Sequence, residues 1–181
     1  MHTSLSESPA LSRRGLLKVG LLGSAFLATA GLGASLSGCS ASVPANGFAI
    51  LRDNDLPFLR ALIPVLLAGS LATEQMPAAI EGTLRSLDVN LNHLSPQMLA
   101  LTRQLFDVLG MAVTRGPLTG IWGSWENASG ESIRAFLNRW ENSWLALLRM
   151  GHGSLLQLVM MAWYTQAGAW SHCGYPGPPQ I

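Results

Sequence analysis

The side chains best suited to chemistry in this chain of 181 residues are its cysteines and histidines. His172 stands directly before Cys173, and an imidazolium beside a thiol lowers the pKa of that thiol, which is how a cysteine nucleophile is activated. The sequence offers no third group to orient this pair. His93 and His152 lie far from it, and no haem-attachment or zinc-protease motif occurs. We therefore predict no catalytic residue, metal site or cofactor site in this chain, and favour a buried Cys173.

The N-terminus has the organisation of an export signal. Arg13 and Arg14 are followed by Leu-Leu-Lys and then by an uncharged run from 19 to 38. Consecutive arginines before such a run are typical of the twin-arginine signal, which directs already folded proteins out of the cytoplasm. The run ends in Leu-Ser-Gly-Cys, which resembles a lipobox, where Cys39 is acylated and becomes the first residue of the mature protein. Acyl chains on Cys39 would anchor the protein to a membrane.

These motifs predict a periplasmic, membrane-anchored lipoprotein with a signal peptide over 1–38 and a tether over 39–52. Two alternatives stay open. Cleavage after Ala30 would leave Cys39 as an ordinary thiol in a soluble product. Without cleavage, the apolar run of about 20 residues would have the length of a membrane span, although its many glycines and alanines make it a poor one.

The composition of the mature chain favours a protein partner. Beyond the leader there are eight basic residues, all arginine, against nine acidic residues. The lack of lysine excludes Schiff-base chemistry, and the near-zero net charge gives no indication of the clustered positive surface that nucleic acid requires. A chain with so few charges and so many apolar residues is short of polar surface, which a buried interface would explain.

Hydrophobic spacing from 53 to 173 predicts one all-α domain of about five helices. Asp53 or Asp55 caps the first helix, and Ser95 and Ser129 cap the third and fourth. The five predicted helices cover 56–71, 73–94, 96 to about 116, 130–151 and 155–167. A loop over 116–130 carries Trp122 and Trp125, and residues 174–181 form an extended tail rich in proline and glycine.

The C-terminal part of the chain resembles a known family of small subunits. Its residues Ala162-Trp163-Tyr164-Thr165, Ala169-Trp170 and Gly174-Tyr175-Pro176-Gly177-Pro178-Pro179, together with the leader, look like gluconate 2-dehydrogenase subunit 3, or sorbitol dehydrogenase small subunit. The resemblance also touches 62–69 and 118–120 and covers the mature chain loosely. The lipobox is a departure from the family, because many of its members lack one.

The resemblance implies an accessory role. In that family the small subunit binds a large FAD-containing dehydrogenase of the glucose-methanol-choline type, which has no export signal, and a cytochrome c subunit often receives the electrons. This chain would then be the non-catalytic escort and anchor, with FAD in its partner. The predicted partner interface consists of aromatic and proline side chains: Trp122, Trp125, Trp163, Tyr164, Trp170, Tyr175, Pro176 and Pro178.

Other interpretations remain at this point. Trp122 and Trp125 could equally cover the end of the helix bundle, and for Trp163 we favour a core position, whereas for the proline tail we favour the interface. The whole chain could instead be an autonomous lipoprotein with a structural or ligand-binding role, or an enzyme that uses His172 and Cys173. Co-purification of a yellow flavoprotein would separate the subunit from both.

Overall fold

The computed structural model describes residues 43–177, without the side chains of residues 171–173, and this part of the chain is helical and contains no strand. The all-α prediction is confirmed. Seven α-helices occur in the described residues: α1 Leu56–Leu66, α2 Met76–Asn92, α3 Pro96–Gly110, α4 Ala112–Thr119, α5 Gly130–Glu141, α6 Ala146–Tyr164 and α7 Ala167–Cys173. Short 3-10 turns precede α2 at Thr73–Gln75 and α5 at Trp125–Asn127.

Helix α1 lies at the centre of the domain and packs against α2, α3, α5 and α6. Its buried side chains, Phe58, Leu59, Leu62 and Ile63, form the middle of the core. A continuous row of aromatic rings passes through that core, with neighbouring centroids 5.0–6.1 Å apart: Phe106, Phe58, Trp125, Phe136 and Trp140. Three of these four ring pairs meet edge to face and Phe58–Trp125 is tilted. Edge-to-face pairs add about 0.5–1.5 kcal/mol each beyond simple burial.

The predicted serine caps are present. The Ser95 hydroxyl accepts the Met98 N–H at 3.3 Å, and the Ser129 hydroxyl accepts the Ser132 N–H at 3.1 Å. Asp55 stands at the N-cap of α1, but its side chain makes no cap hydrogen bond. Its carboxylate instead accepts from the backbone and guanidinium of Arg52.

The predicted third helix is two helices. Met111 has an extended backbone conformation and separates α3, which ends at Gly110, from α4, which ends at Thr119. The predicted stop near Gly116-Pro117 is therefore wrong. The Thr114 hydroxyl holds the break by donating to the Val108 carbonyl at 2.7 Å. The apolar spacing of 99–113 predicts that Leu101 and Val113 are core residues, but both are exposed. Val113 follows the break, which turns it away from the buried face of α3, whereas Leu101 lies on the exposed side of α3 itself.

The predicted fourth helix ends early. Helix α5 stops at Glu141, and α6 begins five residues later at Ala146, so Gly151 lies inside α6 instead of ending a helix. Trp144, which the spacing predicts to be a core residue, is therefore exposed. For the next core position the spacing allows Leu147 or Leu148, and it is Leu148 that packs against the core while Leu147 is exposed. Gly151 is required by a close approach, since a Cβ there would stand 2.7 Å from Cζ3 of Trp140.

The predicted tether is folded over its described part. Leu51 is fully buried, and Ala45 nearly so. The Asp88 carboxylate of α2 accepts the backbone N–H groups of Ala49, Ile50 and Leu51, each at 2.8 Å. The compact unit therefore begins at Val43 and not at 53.

Among the residues that the structure describes, no helix combines the length and the apolar character needed to cross a bilayer.

Candidate partner interface

Trp122 is the most clearly presented aromatic side chain of the predicted interface. It is 78% exposed, yet one edge of its indole rests on Gly116 of α4, where a Cβ would lie 2.6 Å from Cε3. Gly116 itself is buried. The ring is thus held against rigid backbone while most of its surface faces outward. An aromatic side chain ordered in advance loses little conformational entropy when a partner covers it.

Trp125 and Trp163 occupy the core instead of the surface. Both are buried, and the Trp125 indole N–H donates to the Leu109 carbonyl at 2.8 Å. Trp125 therefore packs inside the domain, between Phe58 and Phe136. Neither indole can contact a partner without a change in this core.

A second exposed aromatic group forms where the tail begins. The Trp170 indole N–H donates to the Tyr164 carbonyl at 2.9 Å, and the Tyr175 N–H donates to the Trp170 carbonyl at 3.0 Å. The rings of Trp170 and Tyr175 meet edge to face at 5.7 Å. Tyr164, Tyr175 and Pro176 are exposed. The tail thus folds back on its own chain at its start, and the exposed Tyr175 and Pro176 lie beside Tyr164 at the end of α6.

The other predicted sites lie outside the described residues. These are Arg13 and Arg14 of the export signal, the lipidation site Cys39, the tail residue Pro178, and the side chains of His172 and Cys173. Within the described part of the chain, no three His, Cys, Asp or Glu side chains are grouped so as to hold a metal ion.

Sequence reasoning missed the exposed face of α6. Leu147, Met150, Met161 and Tyr164 all lie on it, and Trp144, just before the helix, is 86% exposed. The sequence does contain a signal for this face. Residues from Leu147 to Tyr164 recur in steps of three and four, and this spacing defines a second side of the helix besides the one that faces the core.

An apolar groove lies between α1 and the start of α5. Its volume is about 580 Å³, and Pro57, Ala61, Pro64, Val65 and Ile133 contribute its apolar lining. The α1 segment is apolar nearly all round, which predicts deep burial on every side, but Pro57, Ala61, Pro64 and Val65 are only half-buried. Arg60 and Arg134 also line the groove, and Arg60 is paired through two hydrogen bonds with Glu81 of α2.

A buried ion-pair network stabilises the base of α1. Arg52 contacts Asp55 at 2.9 Å and Asp107 of α3 at 2.7 Å. Burial disfavours the charged form of Arg52, but hydrogen bonds and charge from the two carboxylates outweigh it and raise the pKa of Arg52 above its ordinary value. Arg52 is therefore charged at every physiological pH, and the network has a structural role.

Comparison with protein-family models, with curated proteins and with solved structures gives no match for this chain.

Proposed function

We propose that this chain is the non-catalytic small subunit of a flavin-dependent dehydrogenase complex. It binds a large FAD-containing alcohol or sugar dehydrogenase of the glucose-methanol-choline type, escorts it through twin-arginine export and anchors it to the membrane through Cys39. Its own residues carry out no step of the oxidation. The observation that carries the proposal is the surface tryptophan Trp122, which is held in place by Gly116 and left 78% exposed.

The physical argument for a protein partner is energetic. Covering a tryptophan removes a large apolar surface from water, and aromatic side chains dominate the binding energy of many interfaces. The domain has nine acidic and eight basic residues beyond its leader and no lysine there, as is typical of surfaces that bind protein. Trp122 and the group formed by Trp170, Tyr175 and Pro176 are two places where the described part of the chain holds aromatic rings in place through its own contacts.

The choice of a flavoprotein depends on the leader and on the family resemblance. A twin-arginine signal exports proteins that are already folded, which suits a partner that must take up its flavin in the cytoplasm. The resemblance at 162–165, 169–170 and 174–179 supplies the class of partner, and a cytochrome c subunit is then the expected electron acceptor.

The test is co-purification from the native host in mild detergent, with an absorption spectrum of the recovered proteins. We expect a flavin spectrum with the wild-type chain and its loss with Trp122→Ala. Trp144→Ala is the matched control, because it removes an equally exposed tryptophan outside the predicted interface. A colourless wild-type protein without a partner would overturn the proposal, as would equal retention of the flavoprotein by both variants.

The groove favours a second candidate function, an autonomous lipoprotein that binds a small apolar ligand. Its volume of about 580 Å³ falls in the range of small-molecule sites. Extraction of the purified chain with organic solvent and mass spectrometry would test this candidate. A bound small molecule that disappears in Ala61→Trp, with no flavoprotein present, would favour it.

A further inference from the structure

The outer face of α6 carries a continuous stripe of six residues. These follow one another in steps of three and four, the spacing that keeps residues on one side of a helix. The stripe consists of Leu147, Met150, Ser154, Gln157, Met161 and Tyr164, and all six are exposed. Leu147 is 76% and Met150 is 67% exposed. The stripe lies opposite the buried face of the helix, which is formed by Leu155, Val159, Ala162 and Trp163.

Helix α6 carries no charge on either of these sides, and only Ser154 and Gln157 at the centre of the stripe are polar. Its single charged residue is Arg149, whose guanidinium donates to the Ser143 carbonyl at 2.6 Å and which is not part of the stripe. A helix with apolar residues all round is normally covered all round. Six exposed, uncharged side chains in line over about 26 Å, at a rise of about 1.5 Å per residue, therefore form a contact surface for another helix.

The order of residues along the stripe indicates which helix that is. In both directions the stripe reads as two apolar residues, two polar residues and two apolar residues, with its midpoint between Leu155 and Leu156. A surface with this symmetry is complementary to itself about a two-fold axis. We propose that α6 pairs antiparallel with α6 of a second copy of this chain, so that Leu147 faces Tyr164, Met150 faces Met161 and Ser154 faces Gln157, each pair occurring twice.

The polar centre fixes register and direction. In the antiparallel pair the short Ser154 faces the long Gln157, and their side chains can hydrogen-bond across the interface. A shift by one heptad would set one of these polar groups against methionine and the other against Leu147 or Tyr164, so the hydrogen bond between Ser154 and Gln157 would be lost. A parallel pair would set Ser154 against Ser154, which leaves a gap between the helices, and Gln157 against Gln157, which crowds them. The antiparallel pair sets a small residue against a large one at both positions and fills the space between the helices evenly.

The test is a charge swap in the full-length chain, co-expressed with two different tags and purified in mild detergent. Met150→Glu and Met161→Arg each place a charge against methionine, so each should weaken recovery of the second tag by about tenfold or more. The double variant places Glu against Arg only if the helices are antiparallel in the stated register. It should recover the second copy in low salt and lose it in high salt. Val113→Glu, an exposed apolar position on α4, is the matched control and should have no effect.

Circular dichroism of each variant shows whether it is folded, as expected for substitutions at exposed sites. The proposal is wrong if the wild-type chain is monomeric at every concentration, if the double variant is no better than the single ones, or if Met150→Glu releases a different polypeptide or a membrane instead of the second copy. These results are independent of the flavoprotein, because Trp122→Ala leaves the α6 stripe intact. A dimer of this chain that recovers no flavoprotein would contradict the proposed function and leave the proposed α6 pairing standing.

Discussion

Two glycines of α6, two residues apart, should respond in opposite ways to alanine. Alanine inside a helix is favoured over glycine by about 0.5–1 kcal/mol, so space alone decides whether that gain is realised. At Gly153 an added Cβ has no neighbour within 4 Å. At Gly151 the Cβ would stand 2.7 Å from Cζ3 and 3.2 Å from Cε3 of Trp140, and 3.5 Å from Cδ1 of Leu105.

The cost at Gly151 depends on whether Trp140 can move. Ordinary contact between carbon atoms is at about 3.5–4.0 Å, so the indole would have to shift by roughly 1 Å. The ring is buried, its N–H donates to the Leu118 carbonyl at 2.9 Å, and Phe136 packs edge to face against it at 5.0 Å. Overpacking of such a site costs about 1–3 kcal/mol. Gly151→Ala should therefore be about 1–2 kcal/mol less stable than wild type, and Gly153→Ala about 0.5–1 kcal/mol more stable.

Urea and thermal unfolding followed by circular dichroism would measure the difference. For a domain of this size each kcal/mol shifts Tm by roughly 3–5 °C, so the two variants should differ clearly. Measurement at two protein concentrations would reveal any contribution from self-association, which makes Tm concentration-dependent. In a Trp140→Phe background the penalty at Gly151 should shrink, because the smaller ring leaves room. Equal stability of Gly151→Ala and Gly153→Ala would refute the reasoning.

Three further outcomes are expected. Asp88→Asn should lower the free energy of unfolding by about 2–4 kcal/mol in urea titrations. The neutral amide keeps one acceptor oxygen and turns a donor toward the backbone N–H groups of residues 49–51. Asp53→Asn, at an exposed position, should change the free energy of unfolding little. Ser129→Ala should cost about 1 kcal/mol in the same assay through loss of the α5 cap; a change below the error of the measurement would exclude a role for the cap. Substitution of Arg13 and Arg14 by lysine should leave both this chain and its partner in the cytoplasm in cell fractionation, and normal export of the partner would contradict the escort role.

Local signals predicted the helices well where a cap and a proline or an acidic first turn agree. Ser95 before Pro96 and Ser129 before α5 are such cases, since the hydrogen bonds they make involve residues only three positions away. The break at Met111 and the end of α5 could not be predicted in this way. The apolar spacing continues through Trp144 and Leu147, so the sequence supports one long helix as well as two.

Gly151 shows why the end of α5 was misplaced. A glycine after an amphipathic run can have either of two roles. It can end a helix, because it adopts backbone conformations that other residues avoid, or it can let another group approach the backbone closely, because it has no side chain. The sequence does not distinguish the two. Only the position of Trp140, eleven residues earlier on another helix, decides for the contact. Trp122 and Trp125 pose the same difficulty. They lie three residues apart in one loop with similar neighbours in sequence, yet Trp122 is exposed and Trp125 is buried.

The shortage of charge in the mature chain predicted a covered surface without locating it. In the structure the exposed apolar side chains include the α6 stripe, Trp122 on the loop that follows α4, and Tyr175 at the start of the tail, whose partner Trp170 adjoins the stripe at Tyr164. A stripe that is symmetric about its own midpoint suits an identical partner, whereas a single anchored tryptophan suits a different one, because it offers no matching feature to a second copy. If both proposals hold, two small subunits would present two copies of Trp122, and the complex would contain two flavoproteins for each dimer. The mass of the intact complex would then be twice that of an assembly with one small subunit and one flavoprotein. Met150→Glu should halve the mass of the complex without loss of flavin.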